Sequence, residues 1–231
     1  MLLLALSDPR ADATYALRAA AARGHLLAVR LLLEAGADTG GCDGTGENAL
    51  MLAALQGRDA VVEELVPRMD VAGVRASNQR GRTALHSAVQ CCSGAAVSAL
   101  LDAGADITAK DSFGMTPLVQ AGMSLDAGAV TAIARQAVLA GVDIDAPGHG
   151  GMTALSCAAS RGNRVAVEAL IPFRPRVMTR TLMSARGTPM RSPCIVCNGL
   201  LARAAVEHLH RLANMDRRSA LIGFRYCELQ A

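Results

Sequence analysis

One seven-residue phrase recurs at a nearly constant interval, and it constrains this chain more than any other feature. Helices open at Tyr15-Ala-Leu-Arg-Ala-Ala-Ala, Asn48-Ala-Leu-Met-Leu-Ala-Ala, Thr83-Ala-Leu-His-Ser-Ala-Val, Thr116-Pro-Leu-Val-Gln-Ala-Gly and Thr153-Ala-Leu-Ser-Cys-Ala-Ala, spaced 33, 35, 33 and 37 residues apart. The chemistry of each opening is local. A threonine hydroxyl at the N-cap accepts from the unpaired N–H groups of the first turn. A proline next to it lacks the N–H that would go unpaired, and its φ is already helical. A second phrase closes the unit: LLLEAGAD from Leu31, LLDAGADI from Leu100 and VLAGVDID from Val138. Its glycine, Gly104 for example, can take the left-handed conformation that ends a helix. Between the two phrases lies an apolar second helix, such as Leu26–Glu34, with Leu27 and Leu31 at helical spacing. A period near 33 residues built of helix, turn, helix and turn predicts a solenoid, which needs neither a single central core nor a domain boundary.

The repeated phrase resembles the ankyrin repeat. Asp111, Gly114, Thr116, Pro117, Leu118 and Ala121 match the family pattern in one unit, Thr83, Ala84, Leu85, His86 and Ala88 in another, and Ala20, Ala21, Gly24 and His25 in the first. The fold class implied is all-α: a solenoid of stacked antiparallel helix pairs with turn fingers between them. Residues 1–11 read as an N-terminal cap, 12–172 as five repeats, and 173–231 as a degenerate sixth and partial seventh repeat that is strongly basic. Gly151-Met-Thr-Ala-Leu also looks like the ankyrin-only arrays and ankyrin-tailed kinases of some protists.

Departures from the pattern carry their own expectations. Cys92 and Leu125 stand where the family has glycine between its helices. A non-glycine residue in the left-handed region costs roughly 1–2 kcal/mol, so both turns are expected to adopt another geometry. Pro67 should end the second outer helix early, with Val-Pro-Arg-Met-Asp in place of Gly-Ala-Asp, and Ile171-Pro172 repeats that ending. The fourth unit holds four more residues between its threonine and Gly141 than the third holds before Gly104, which predicts a longer helix or an extra turn.

Composition narrows the function classes. Aromatic residues are 2% of the chain and tryptophan is absent. That argues against a large barrel or sandwich and removes the stacking platforms of single-strand nucleic-acid binders, so no nucleic acid is expected. The seven cysteines are odd in number and follow no regular framework, which suits reduced thiols and a cytoplasmic protein. The opening MLLLAL is too short for a signal peptide or a membrane span. Charge is uneven: residues 161–231 carry twelve arginines against four acids. This basic region suits contact with an acidic protein partner, arginine being matched to carboxylates.

No catalytic, cofactor or metal site is expected. Cys194 and Cys197 have a zinc-like spacing, but His208 and His210 lie only two apart and point to different helix faces. The glycine run at 40–44 makes no phosphate-binding fingerprint. Asp38, Asp106 and Asp143 recur once per unit and read as turn formers. The resemblance gives His86 a structural task, tying the turn of one repeat to the next.

What remains is a protein-binding surface. In ankyrin-like units the binding positions are the finger residues and those just before the inner-helix glycine. Here these are Thr45 and Glu47, Arg80 and Arg82, Phe113 and Met115, His149 and Met152, with Gln56, Gln90, Met123 and Arg161 from the inner helices. The strip is centred on Arg80, Arg82, Phe113 and Met115, residue types favoured at interfaces. The function expected is a non-enzymatic binding scaffold. The alternative is a regulatory or targeting array that works beside a catalytic partner such as a protein kinase.

Overall fold

The structure, a computed structural model, describes residues 9–173. The N-terminal segment before them, the basic region after them and the Cys194, Cys197, His208 and His210 reading all lie outside the described residues. Eleven α-helices follow one another: α1 Pro9–Arg23, α2 Leu26–Glu34, α3 Ala49–Leu55, α4 Asp59–Leu65, α5 Val71–Arg75, α6 Ala84–Gln90, α7 Gly94–Asp102, α8 Pro117–Ala121, α9 Ala127–Leu139, α10 Ala154–Ser160 and α11 Arg164–Leu170. They form five antiparallel pairs, with α5 as an extra turn. The inner helices α1, α3, α6, α8 and α10 pack in one row, and the outer helices α2, α4, α7, α9 and α11 in a second. No strand occurs among the described residues, only a single bridge between Ser77 and Thr83.

The repeated phrase becomes structure through its caps. Asn48, Thr83, Thr116 and Thr153 each accept a hydrogen bond from the backbone N–H three residues on, at 2.9–3.5 Å. Thr83 and Thr153 complete capping boxes with His86 and Ser156. The leucine two residues past each opening position, namely Leu17, Leu50, Leu85, Leu118 and Leu155, is buried in every repeat. So is the valine of each outer helix: Val29, Val62, Val97, Val130 and Val167. Small residues let the helices approach. Where other repeats have alanine or valine, Gly122 lies so close to α10 that an added Cβ would stand 2.3 Å from the Ala154 carbonyl oxygen.

The residue heading three of the five outer helices, α4, α7 and α11, reaches back to the preceding repeat. Arg58 Nε donates to the Ala22 carbonyl, Ser93 Oγ to Asp59, and Asn163 Nδ2 to the carbonyls of Gly122 and Ser124. Neighbouring repeats are therefore joined by polar bonds as well as by apolar packing. Nearest-neighbour contact of this kind is what gives a solenoid its stability.

Several expectations are corrected. The first unit has no opening at Tyr15: α1 runs unbroken from Pro9 to Arg23. Tyrosine brings no short-side-chain cap, and the alanines around it are strong helix formers. Leu27 and Leu31, whose spacing alone reads as a buried face, are 76% and 66% exposed. They occupy the positions that Ala60 and Glu64 hold in α4, and Glu64 faces back toward α2 through its ion pair with Arg30 at 2.7 Å. The side of α2 that carries them thus looks away from the stack. The turn at Cys92 is the same left-handed turn that glycine makes elsewhere, with φ +61°. Cys92 N–H reaches Val89 O and Ser93 N–H reaches Ala88 O, each at 3.2 Å, as Gly57 and Arg58 do with Ala54 and Ala53. Repeat geometry overrides the residue's own preference.

Other irregularities fall as expected. The Leu125 turn has no positive φ and closes through successive short bonds from Met123 and Ser124 to Gln120 and Ala121. Pro67 and Pro172 each sit in a 3-10 turn that ends an outer helix, and α5, capped by Asp70, follows the first of them. The four extra residues of the fourth repeat all enter α9, which has 13 residues against nine in α7.

Candidate functional site: the finger edge and inner helices

The turns between repeats are rigid for a reason visible atom by atom. Asp43, Asn78 and Asp111 each point Oδ1 into their own turn, accepting the backbone N–H groups two and four residues on at 2.8–3.0 Å. Each finger then closes backbone to backbone: Asp43 N to Glu47 O, Asn78 N to Arg82 O, Asp111 N to Met115 O, and Gly148 N to Met152 O. The fingers also bond to each other. Gln79 N–H donates to Thr45 O at 3.0 Å, and Ser112 N–H to Arg80 O at 2.7 Å. The hydroxyl of Thr45 bonds to Asp43 and, with the Glu47 N–H, holds that carboxyl below its ordinary value. Asp38, Asp106 and Asp143 accept in the same way from Gly40, Thr108 and Asp145, so the recurring carboxylates are turn formers.

His86 ties the third repeat to the fourth. It is fully buried; its Nδ1 accepts from Thr83 N–H at 3.2 Å, which leaves Nε2–H to donate to the Met115 carbonyl at 3.1 Å. Burial pushes its pKa down, so the neutral ring is the stable form. The corresponding positions hold Arg18, Met51, Val119 and Ser156, and among the described residues none of them makes this link. His86 is thus spent on structure, as the sequence resemblance implied.

The twelve sequence-designated residues fall into three tiers. Thr45, Arg80 and Phe113 stand at equivalent finger tips and are exposed, Phe113 at 65%. Glu47, Arg82, Met115 and Met152 stand at finger bases and are half-buried. Gln56, Gln90, Met123 and Arg161 lie at the far ends of the inner helices, exposed except for half-buried Met123. His149 begins a 3-10 turn, His149–Gly151, that gives the fifth finger its own shape. One designated pair is brought together: Arg82 Nη2 bonds Gln90 Oε1, linking a finger base to the far end of α6, whereas Glu47 is held by Asn78 Nδ2 at 3.2 Å. No bond joins Gln56 or Met123 to a finger.

The sequence reading missed Gln120. It is 8% exposed on α8, and its Oε1 has no hydrogen-bond partner. The signal was its position, four residues past the opening threonine, where other repeats have Ala19, Leu52, Ser87 and Cys157. Burial raises the pKa of the Cys157 thiol, which makes it a poor nucleophile. Among the described residues, no three His, Cys, Asp or Glu side chains gather as a metal site would require. No described helix is long and apolar enough to cross a membrane.

Comparison with known proteins agrees with this geometry. The family model described as ankyrin repeats, three copies, matches residues 16–111. No curated protein matches the chain. The matched stretch runs from within α1 through the third helix pair. The pairs built on Thr116 and Thr153 continue the same caps, buried leucines and outer-helix valines. Ankyrin repeats are protein-interaction modules, a class that is typically non-catalytic. Residues 16–111 are thus matched by the ankyrin-repeat family, and the described residues build the all-α solenoid of stacked helix pairs joined by turn fingers that such repeats form.

Proposed function

We propose that this protein is a non-enzymatic binding scaffold that holds a protein partner on the concave side, against the finger edge and the inner helices of repeats three and four. The observation that carries the reading is the setting of Phe113. Its ring is 65% exposed, yet its backbone is held by Asp111 Oδ1 and by the bond from Ser112 N–H to Arg80 O. An apolar side chain held outward on an immobilised backbone loses little entropy when it binds. Arg80 stands at the same level on the neighbouring finger. Arginine and exposed aromatic residues are the types that carry interface energy. A reducing, cytoplasmic setting accords with the free thiols of Cys42, Cys91, Cys92 and Cys157.

The test is quantitative. Proteins recovered on the immobilised chain are purified and titrated one by one. Charge reversal at Arg80 and Arg82 combined with Phe113→Ala should weaken a true partner at least tenfold, about 1.4 kcal/mol or more. A reversal at Arg135, an exposed residue of α9 on the outer row, should leave affinity unchanged. Equal affinity across all variants, with helical content intact, would remove the strip from the function.

A further inference from the structure

We infer that the occupant of this strip is an extended acidic peptide segment, one of whose side-chain carboxylates pairs with Arg82. The inference rests on the binding reading above and deepens it. Arg82 is half-buried, and its only side-chain bond goes to a neutral group, Gln90 Oε1. Its Nε–H is buried without an acceptor. Arg80 and Lys110, exposed nearby in sequence and fold, form no ion pair among the described residues. The carboxylates of the same fingers are already engaged: Asp111 and Asp43 in their own turns, Glu47 with Asn78.

Three arginines on the outer helices and their ends do have counter-ions. Glu64 holds Arg30 and Arg68, and Glu168 holds Arg164. A partly desolvated guanidinium with no counter-ion is unfavourable, and it becomes favourable when a carboxylate arrives in the fork geometry that arginine presents. An extended peptide lying along the finger edge supplies that carboxylate to the part of the half-buried Arg82 side chain that solvent reaches. Phe113 then seats an apolar side chain of the same segment.

The experiment selects a random linear-peptide library on the immobilised full chain and titrates the winners by fluorescence anisotropy. The expected pool is enriched in Asp and Glu beside apolar residues. Binding of its members should fall about tenfold or more with Arg82→Met, be partly kept by Arg82→Lys, and weaken with added salt. The urea midpoint of Arg82→Met should be no lower than that of the parent, because a charge without a counter-ion has been removed. A marked drop in that midpoint would make Arg82 a structural residue and overturn the inference. A pool without acidic enrichment that still depends on Phe113 keeps the binding strip and overturns the acidic class. Tighter binding when phosphoserine replaces the acidic residues reassigns the ligand to a phosphopeptide, which also overturns it. A pool indifferent to both Arg82 and Phe113 overturns the strip as well.

Discussion

Cys92 carries the one positive φ of a non-glycine residue among the described residues. Its left-handed backbone costs on the order of 1 kcal/mol, which glycine would not incur. Cys92→Gly should therefore raise stability by about 1 kcal/mol, read as a higher urea midpoint at unchanged slope; a lower midpoint would mean that the Ser124 Oγ contact to its sulfur outweighs the strain. His86 gives the residue scale its pH dependence. Its folded pKa lies below the ordinary value of 6.5, so the unfolded chain binds a proton that the folded chain refuses. Stability is unaffected above that value and falls as pH drops below it toward the folded pKa. The charged groups that bear on the ring are Asp111, Arg82 and Asp106 from the turns, while the neighbouring inner helices α3 and α8 carry no charged residue. The slope of urea midpoint against pH between about 6.5 and 5 should be shallower in His86→Gln. An identical slope would assign the acid loss to other groups.

At the scale of elements, the caps and buried leucines of α3, α6, α8 and α10 are legible in the sequence because they depend on residues within one turn. The Tyr15 opening misled for the same reason: the phrase was present, but the cap that ends the preceding turn was not. The Cys92 turn was misread from its own propensity, because two hydrogen bonds and the packing of α6 on α7 impose the conformation from outside. Gly122 is a further element-scale constraint. Its closeness to the Ala154 carbonyl belongs to the α8–α10 contact, so Gly122→Ala should destabilise by about 1–3 kcal/mol through overpacking. Circular dichroism during thermal unfolding measures it, and a neutral outcome would mean that the two helices can separate freely. The candidate strip was half legible. Its finger tips follow from the motif, whereas the Arg82–Gln90 bond and the unmet Gln120 oxygen arise from side chains that meet only after the helices pack.

Across the whole molecule, stability is a chain of neighbour contacts. Leu118 lies in the middle of the inner row, 3% exposed. Leu118→Ala should cost about 2–5 kcal/mol, and in a solenoid such a loss uncouples the repeats on either side. The expected result is a broadened or two-step urea transition; a single transition merely shifted to lower urea would show that the array unfolds as one block. The sequence by itself determined the period, the caps, the all-α class and the residues at finger tips, because each depends on chemistry within a few positions along the chain. Only the tertiary structure decided that Leu27 and Leu31 face outward, that Cys92 accepts a left-handed turn, and that Arg82 is half-buried without a counter-ion. Those outcomes depend on what stands beside a side chain in the next repeat, some thirty residues away along the chain.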